Sequence, residues 1–196
     1  MNYRNVLLLL LAASAGVSAQ TVVKSGNEIQ LAQLQQPIAA EKNPPGDIPD
    51  NQAFVTYVSP LGYSVKVPEG WARSESPGTI DFRDKYNTLR VVVTPRGTAP
   101  TLADLKAGEV AVLAKSPLAV RISSVKALKL PAGSAFVVDY SVNSARNPVT
   151  NKAIRLDSAN YYFWNGGKLA TLTLSAPAGA DNVDQWQLIA RSFAWQ

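Results

Sequence analysis

Apolar and polar side chains alternate along most of the chain after residue 53, a pattern that predicts β-strands. The segments 54–58 and 63–67 follow it on either side of a turn at 59–62, and we expect them to pair as a hairpin. The same alternation recurs at 79–83, 88–94, 120–130, 136–143, 154–164 and 169–174. Each segment is apolar on one side and polar on the other, so the pattern predicts an antiparallel sheet that is covered on a single side.

The C-terminal region predicts a tight hairpin at 165–167 (Asn-Gly-Gly), followed by a closing helix. Asp181 is the predicted N-cap of this helix, and Asp184 completes a carboxylate form of the capping box. One face of the helix carries apolar side chains: Val183, Trp186, Ile189, Ala190 and Phe193. We interpret this face as a cover for the sheet. The alternative is that its aromatic side chains form a platform for a ligand.

A second helix is predicted from Leu102 to Lys115, because Thr101 and Asp104 form a capping box at its start. Its apolar face is broad, and Gly108 weakens the helix relative to alanine. The elements therefore run as strands, helix, strands and helix. This order predicts an α+β protein in which the helices cover an antiparallel sheet.

The first 52 residues predict export and a spacer. Residues 1–19 have the charge pattern of a secretory signal, with Arg4, an apolar core at 6–13 and a small-residue cleavage site at 17–19. A retained membrane anchor is the alternative. Residues 20–52 are rich in Gln, Ala, Asn and Pro and predict a flexible linker. The domain is predicted to occupy 53–196, to lie outside the cytoplasm, and to have no transmembrane span once the signal is removed.

Composition excludes several classes of chemistry. The 196 residues include no histidine and no cysteine. This absence excludes Ser-His-Asp and Cys-His catalysis, disulfides, and metal sites that need His or Cys ligands. The net charge of +5 is spread along the chain without a basic run, so we do not expect a nucleic-acid partner.

Three segments at the start of the predicted domain together resemble the PsbP-like domain: 63–71 (YSVKVPEGW), 77–84 (PGTIDFRD) and 87–95 (NTLRVVVTP). The end of the chain is also similar, with a turn before Lys168-Leu169 and a helix that carries Trp186 and ends at Ser192-Phe193. The resemblance covers 54–195 and implies an αβα sandwich with a central antiparallel β-sheet, as in the Mog1/PsbP superfamily. It also implies a protein that is not an enzyme. The known role of PsbP in photosynthesis is not carried over.

The function predicted from these observations is binding to a protein partner at the cell envelope or at a membrane complex. The candidate contact residues lie near predicted turns: Trp71, Arg83, Asp84, Lys85 and Tyr86. Aromatic and arginine side chains are favoured at binding hot spots, although each of these residues is also typical of an ordinary edge or turn. The oligomeric state is left open.

Two other functions are weighed beside this one. A small ligand or a cation such as calcium is the alternative, with Asp181 and Asp184, or Asp139 and Asp157, as possible oxygen ligands. Helix capping is the simpler reading of the first pair. An enzyme with paired carboxylates is the third possibility, but no such pair stands out. The sequence therefore predicts no catalytic residue, no metal site and no cofactor.

Overall fold

In the computed structural model, residues 35–196 are described, and their strands form two antiparallel sheets. The small sheet has the order β1-β2-β10 and consists of β1 (Phe54–Ser59), β2 (Tyr63–Pro68) and β10 (Ala194–Trp195). The large sheet has the order β3-β4-β5-β9-β8-β7-β6. Its strands are β3 (Ala72–Ser76), β4 (Thr79–Arg83), β5 (Thr88–Pro95), β6 (Arg121–Leu130), β7 (Gly133–Asn143), β8 (Arg155–Asn165) and β9 (Lys168–Pro177).

Two helical segments complete the described part of the chain. The first, α1, covers 102–114 and contains a π-helical stretch, Lys106–Val110, between two short α-helical pieces. Thr101 and Asp104 form the predicted capping box, with the Asp104 amide 3.2 Å from Thr101 Oγ1 and the Thr101 amide 2.9 Å from Asp104 Oδ2. The second, α2, spans Val183–Ser192. Both predicted helices are therefore confirmed.

The large sheet is covered on both faces, which corrects the expectation of a single covered side. On one face, α2 and the small sheet bury a core that includes Val65, Leu172 and Phe193. On the other face, Leu105 and Val110 of α1 pack on side chains of β7, β8 and β9. The strands β7 and β8 are apolar on both sides, as residues 136–138 illustrate, and this allows a helix on each face. The αβα layering of the predicted fold class is confirmed.

The first hairpin forms a sheet of its own, whereas the sequence pattern suggested one continuous sheet. The strand β2 pairs with β1 on one side and with β10 on the other, so it never joins the large sheet. Instead, Tyr63 of β2 stacks on Phe193, with ring centroids 5.3 Å apart, and Phe193 stacks on Phe163 of β8 at 4.2 Å. These three rings join the two sheets through side-chain packing.

The helix α2 begins one residue later than predicted. Its N-cap is Asn182, whose side chain makes no capping hydrogen bond, while the Asp181 amide donates to Asp47 Oδ1 at 2.9 Å. Of the predicted apolar face, Ile189 and Phe193 are fully buried, but Val183 is 60% exposed. The helix therefore presents a narrower apolar stripe to the core than its sequence suggested.

Residues 35–52, the described part of the predicted linker, are bound to the domain by two buried asparagines. Asn143 donates to the Gln36 carbonyl (2.7 Å) and accepts from the Ile38 amide (3.1 Å). Asn182 donates to the Gly46 carbonyl (3.0 Å) and accepts from the Ile48 amide (2.6 Å). Each side chain thus bridges the carbonyl of one residue and the amide of the second residue after it. These bonds hold the segment against the domain instead of away from it. The predicted signal at 1–19 and the linker residues 20–34 lie outside the described residues.

Candidate functional site

A groove of about 590 Å³ lies between α2 and the strands β6, β7 and β8. Its apolar lining comes from the sheet through Leu128, Leu130, Val137, Ala159 and Tyr161. The helix supplies the opposite wall through Trp186 and Ala190. A volume of this size falls in the range of roughly 300–1,000 Å³ that is usual for ligand pockets.

The local strand register explains why these side chains meet. Lys126 pairs with Val137, and Leu128 pairs with Ala135, so alternate residues of β6 and β7 point to the α2 side of the sheet. Ala159 and Ala190 are both buried, and their side chains end at Cβ. Both residues line the groove, and their small side chains leave room between helix and sheet.

Positive charge dominates the mouth of the groove. Lys126, Lys129 and Arg191 line it together with one carboxylate, that of Asp139. The Ser124 hydroxyl donates to Asp139 Oδ2 at 2.6 Å, which satisfies part of that negative charge. Burial, and secondarily the charge of Asp139, raise the pKa of Tyr161. The phenol of Tyr161 therefore stays neutral at physiological pH and is suited to hydrogen bonding.

A smaller polar cavity of about 230 Å³ continues the groove past Trp186. Asp139 and Asp157 line it, as the cation hypothesis requires, but each already accepts a hydrogen bond. Asp157 Oδ2 accepts from the Gly179 amide at 3.0 Å. Within residues 35–196, no group of three or more acidic, His or Cys side chains is placed to hold a metal ion. A cation site at either predicted aspartate pair stays a prediction.

The five candidate contact residues come together at one end of the β3–β4 hairpin. Ala72 pairs with Arg83, which brings Trp71 next to the turn formed by residues 84–87. Trp71 packs against the core, and Arg83 lies 3.4 Å from Asp81. The other three, Asp84, Lys85 and Tyr86, lie in the turn itself.

Within that turn, Asp84 Oδ1 accepts from the Tyr86 amide at 2.7 Å, and the Lys85 ammonium lies 5.1 Å from the centre of the Tyr86 ring. Most of the polar groups of this tip therefore have partners inside the protein. A binding role for these residues stays a prediction.

The groove was not predicted from the sequence, although two signals of it were present. Trp186 is predicted to cover the sheet, with a ligand platform as the alternative. In the structure it is partly buried, packs against the core and also lines the groove. Leu128 and Leu130 share parity with Val120 and Ile122, which predicts that all four lie on one side of the strand. The register shift between Ile122 and Ser124 instead places Ile122 on the α1 side and the two leucines on the α2 side. Their place beside α2 depends on pairings that the sequence pattern does not specify.

No helix in residues 35–196 is both long enough and apolar enough to cross a membrane. No protein-family profile matches the sequence, and no curated protein matches it either. The solution structure of the cyanobacterial PsbP (CyanoP) of Synechocystis sp. PCC 6803 is similar, with a TM-score of 0.55 and 20% identity. That match covers 78% of this chain and 99% of the other.

Two further solved structures are similar. One is a protein of Bacteroides thetaiotaomicron VPI-5482, with a TM-score of 0.50 and 12% identity over 72% of this chain and 48% of the other. The other is the Ran-binding protein Mog1p of Saccharomyces cerevisiae, with a TM-score of 0.47 and 8% identity over 74% of this chain and 96% of the other.

At these levels of identity the likeness to cyanobacterial PsbP shows the fold alone. This fold is the one that the resemblance at 54–195 implied. The chain has the α+β fold of cyanobacterial PsbP.

Proposed function

We propose that this chain is a non-enzymatic interaction protein of the extracytoplasmic space, which binds a protein partner in the cell envelope or in a membrane complex. The groove beside α2 is the proposed contact site. The predicted signal sequence supports the compartment, and the PsbP-like fold is compatible with an accessory role.

The observation that carries the proposal is Trp186, whose partly buried side chain packs against the core and also forms a wall of the apolar groove. Tryptophan and arginine are the side chains most enriched at binding hot spots, and Arg191 lines the same groove one turn further along α2. Such hot spots consist of a desolvated apolar centre with polar groups around it. The Leu128 and Leu130 side chains supply the apolar centre here, and the cationic groups supply the rim.

A small ligand with an acidic group is the second candidate, because the volume of the groove suits one. Lys126 and Arg191 would face the acidic group, and the side chains on the sheet would contact the apolar part. A ligand of this kind would be retained when the purified protein is examined by native mass spectrometry. A protein partner would not account for such a mass.

Site-specific photo-crosslinking in the cells that produce the protein tests the proposal. The crosslinking residue replaces Gln187, which lines the groove, or Val112, which is 72% exposed on α1 at the other face. We expect one defined envelope protein to be joined to position 187 and not to position 112. A groove-filling variant, Gln187→Trp, should abolish binding of that protein, whereas Val112→Trp should leave it unchanged. Equal labelling at both positions would refute the groove as the contact site.

A further inference from the structure

The strand β6 forms an open edge of the large sheet, directly beside the groove. It spans ten residues, Arg121–Leu130, and among the strands of residues 35–196 it pairs only with β7. Alternate residues of an edge strand direct their amide and carbonyl groups away from the sheet, where another strand can pair with them. The register of β6 is shifted between Ile122 and Ser124, so its regular part runs from Ser124 to Leu130.

The groove continues to this open edge. Lys126, Leu128 and Leu130 lie on the α2 side of β6 and line the groove. A segment that paired with β6 would direct every second side chain to the same side of the sheet. Those side chains would meet Leu128 and Leu130, while the backbone of the segment would satisfy the free groups of the edge.

The charge of β6 indicates which kind of segment would pair with it. The strand carries Arg121, Lys126 and Lys129 and no acidic residue. A second copy of this chain, paired through the same edge, would bring these cations together, and like charges on facing strands destabilise pairing. Lys129 has the opposite parity to Lys126, Leu128 and Leu130, so it extends from the other face of the strand. A segment whose apolar side chains enter the groove would place its alternate, acidic side chains on the face of Lys129. Arg191 of α2 adds a fourth cation at the mouth of the groove.

We propose that β6 and the adjoining groove bind an extended segment of a partner protein, in which acidic side chains alternate with apolar ones, by addition of a strand to the large sheet. This inference rests on the proposed function and specifies the chemistry of the partner. Main-chain hydrogen bonds to β6 provide affinity, and the groove and its cations provide selectivity.

The opposite edge of the same sheet offers a matched control. The strand β3 is equally open, but it carries both Arg73 and Glu75, whose side chains form an ion pair at 3.2 Å. The positive and negative charges of β3 balance, so this strand should not attract an acidic segment. Lysine on an edge strand also commonly protects a sheet from aggregation, and that role requires no ligand.

The probe is a short synthetic peptide in which valine alternates with glutamate, added to the full chain at low ionic strength. Binding is followed by amide chemical shifts and by calorimetry. We expect saturable binding, with shifts along β6 and not along β3. The double variant Lys126→Glu/Lys129→Glu should weaken binding by at least tenfold, while Arg73→Glu on β3 should have no effect. A peptide with lysine in place of glutamate should not bind.

Methylation of the peptide nitrogens separates strand addition from simple charge attraction. In a paired peptide every second amide nitrogen faces β6, and the others face solvent. Methyl groups on the nitrogens that face β6 should abolish binding, whereas methyl groups on the others should leave it intact. Equal loss with both sets, binding of the lysine peptide, or association of the chain with itself through β6 would overturn the inference. If the crosslinked partner of position 187 still binds the Lys126→Glu/Lys129→Glu variant as tightly, this inference fails while the proposed function stands.

Discussion

Replacing Asn182 with alanine is expected to release residues 46–48 from the domain. The Asn182 side chain is buried and makes three hydrogen bonds. Its oxygen accepts from the Ile48 amide at 2.6 Å, and its nitrogen donates to the Gly46 carbonyl at 3.0 Å and to Asn87 Oδ1 at 3.2 Å. Alanine can make none of these bonds, and it leaves their partners without replacements.

The expected cost follows from these contacts. A buried polar group that loses its partner costs about 1–3 kcal/mol, and a hydrogen bond contributes about 1 kcal/mol net. The variant can limit the penalty by letting the segment detach, but it then exposes the Ile48 side chain, which is 4% exposed in the structure. Loss of that burial costs about 1.5–3 kcal/mol. Detachment costs less than leaving three buried groups unpaired, so we expect the free energy of unfolding to fall by about 2–4 kcal/mol.

Urea unfolding and amide hydrogen exchange measure this effect together. The midpoint should fall, and the Ile48 amide should exchange far faster than amides in β8. Detachment of the segment should also lower the denaturant dependence of the unfolding free energy, because less surface remains to be exposed. Gln187→Ala on the same helix is the matched control and should change stability by less than about 0.5 kcal/mol. If Asn182→Ala changes stability no more than this control, and Ile48 stays protected, the proposed bridging role is wrong.

Three other substitutions test the fold at separate places. Burial alone would raise the pKa of the Asp81 carboxyl, but the hydrogen bond and charge of Arg90 outweigh burial and lower it. The ion pair therefore stabilises the protein at pH values above the unfolded-state pKa of Asp81, and this stabilisation is lost as the pH falls through the lowered folded-state pKa. Asp81→Asn removes the titrating group, so the free energy of unfolding should depend less on pH in the acid range. Gly46→Ala should lower the free energy of unfolding by about 1 kcal/mol or more, because the φ of Gly46 is +112° and an added Cβ would lie 3.0 Å from a proline carbon. Gly97 has open space around it, so Gly97→Ala is the control and should not destabilise the protein. Phe193→Ala should cost about 3–5 kcal/mol in urea unfolding, because the ring is fully buried between two stacked aromatic rings.

Local patterns predicted the strands and turns well because each depends on neighbours in sequence. The 165–167 turn is an example: Gly166 and Gly167 have φ values of +52° and +83°, conformations that glycine adopts without strain. This turn fixes the register of β8 and β9, from Asn165 opposite Lys168 onward. Alternation also indicated which residues share a side in the regular strands. In β6 it failed, because the register shift between Ile122 and Ser124 puts Ile122 and Leu128 on opposite faces of the sheet. It carried no information on which distant strand becomes the neighbour.

The errors arose where distant residues decide the outcome. The short strand β10 follows the last helix and pairs with β2, so the first hairpin is completed by residues 194–195 and not by the large sheet. Asp181 satisfied the local rule for a helix cap, but its amide bonds to Asp47 and the next residue becomes the cap. The predicted linker gave a weak packing signal, because the two asparagines bind its backbone and Ile48 is its one fully buried large apolar side chain within residues 35–52. Composition measures side chains and does not detect such contacts.

The position of the groove follows from the widths of the layers. Strands lie about 4.8 Å apart, so seven of them span about 29 Å, whereas a packed helix is about 10 Å across. On the α2 side, the small sheet covers β4, as the contact between Tyr57 and Phe82 shows. The helix α2 covers the next part of the large sheet, and Phe193 at its end packs on Phe163 of β8. The cover ends before β6, and the side chains of Leu128 and Leu130 are left between the helix and the open edge. The same geometry that exposes apolar surface there also leaves the strand beside it unpaired on one side, so a partner that adds a strand and one that fills the groove would use a single continuous site.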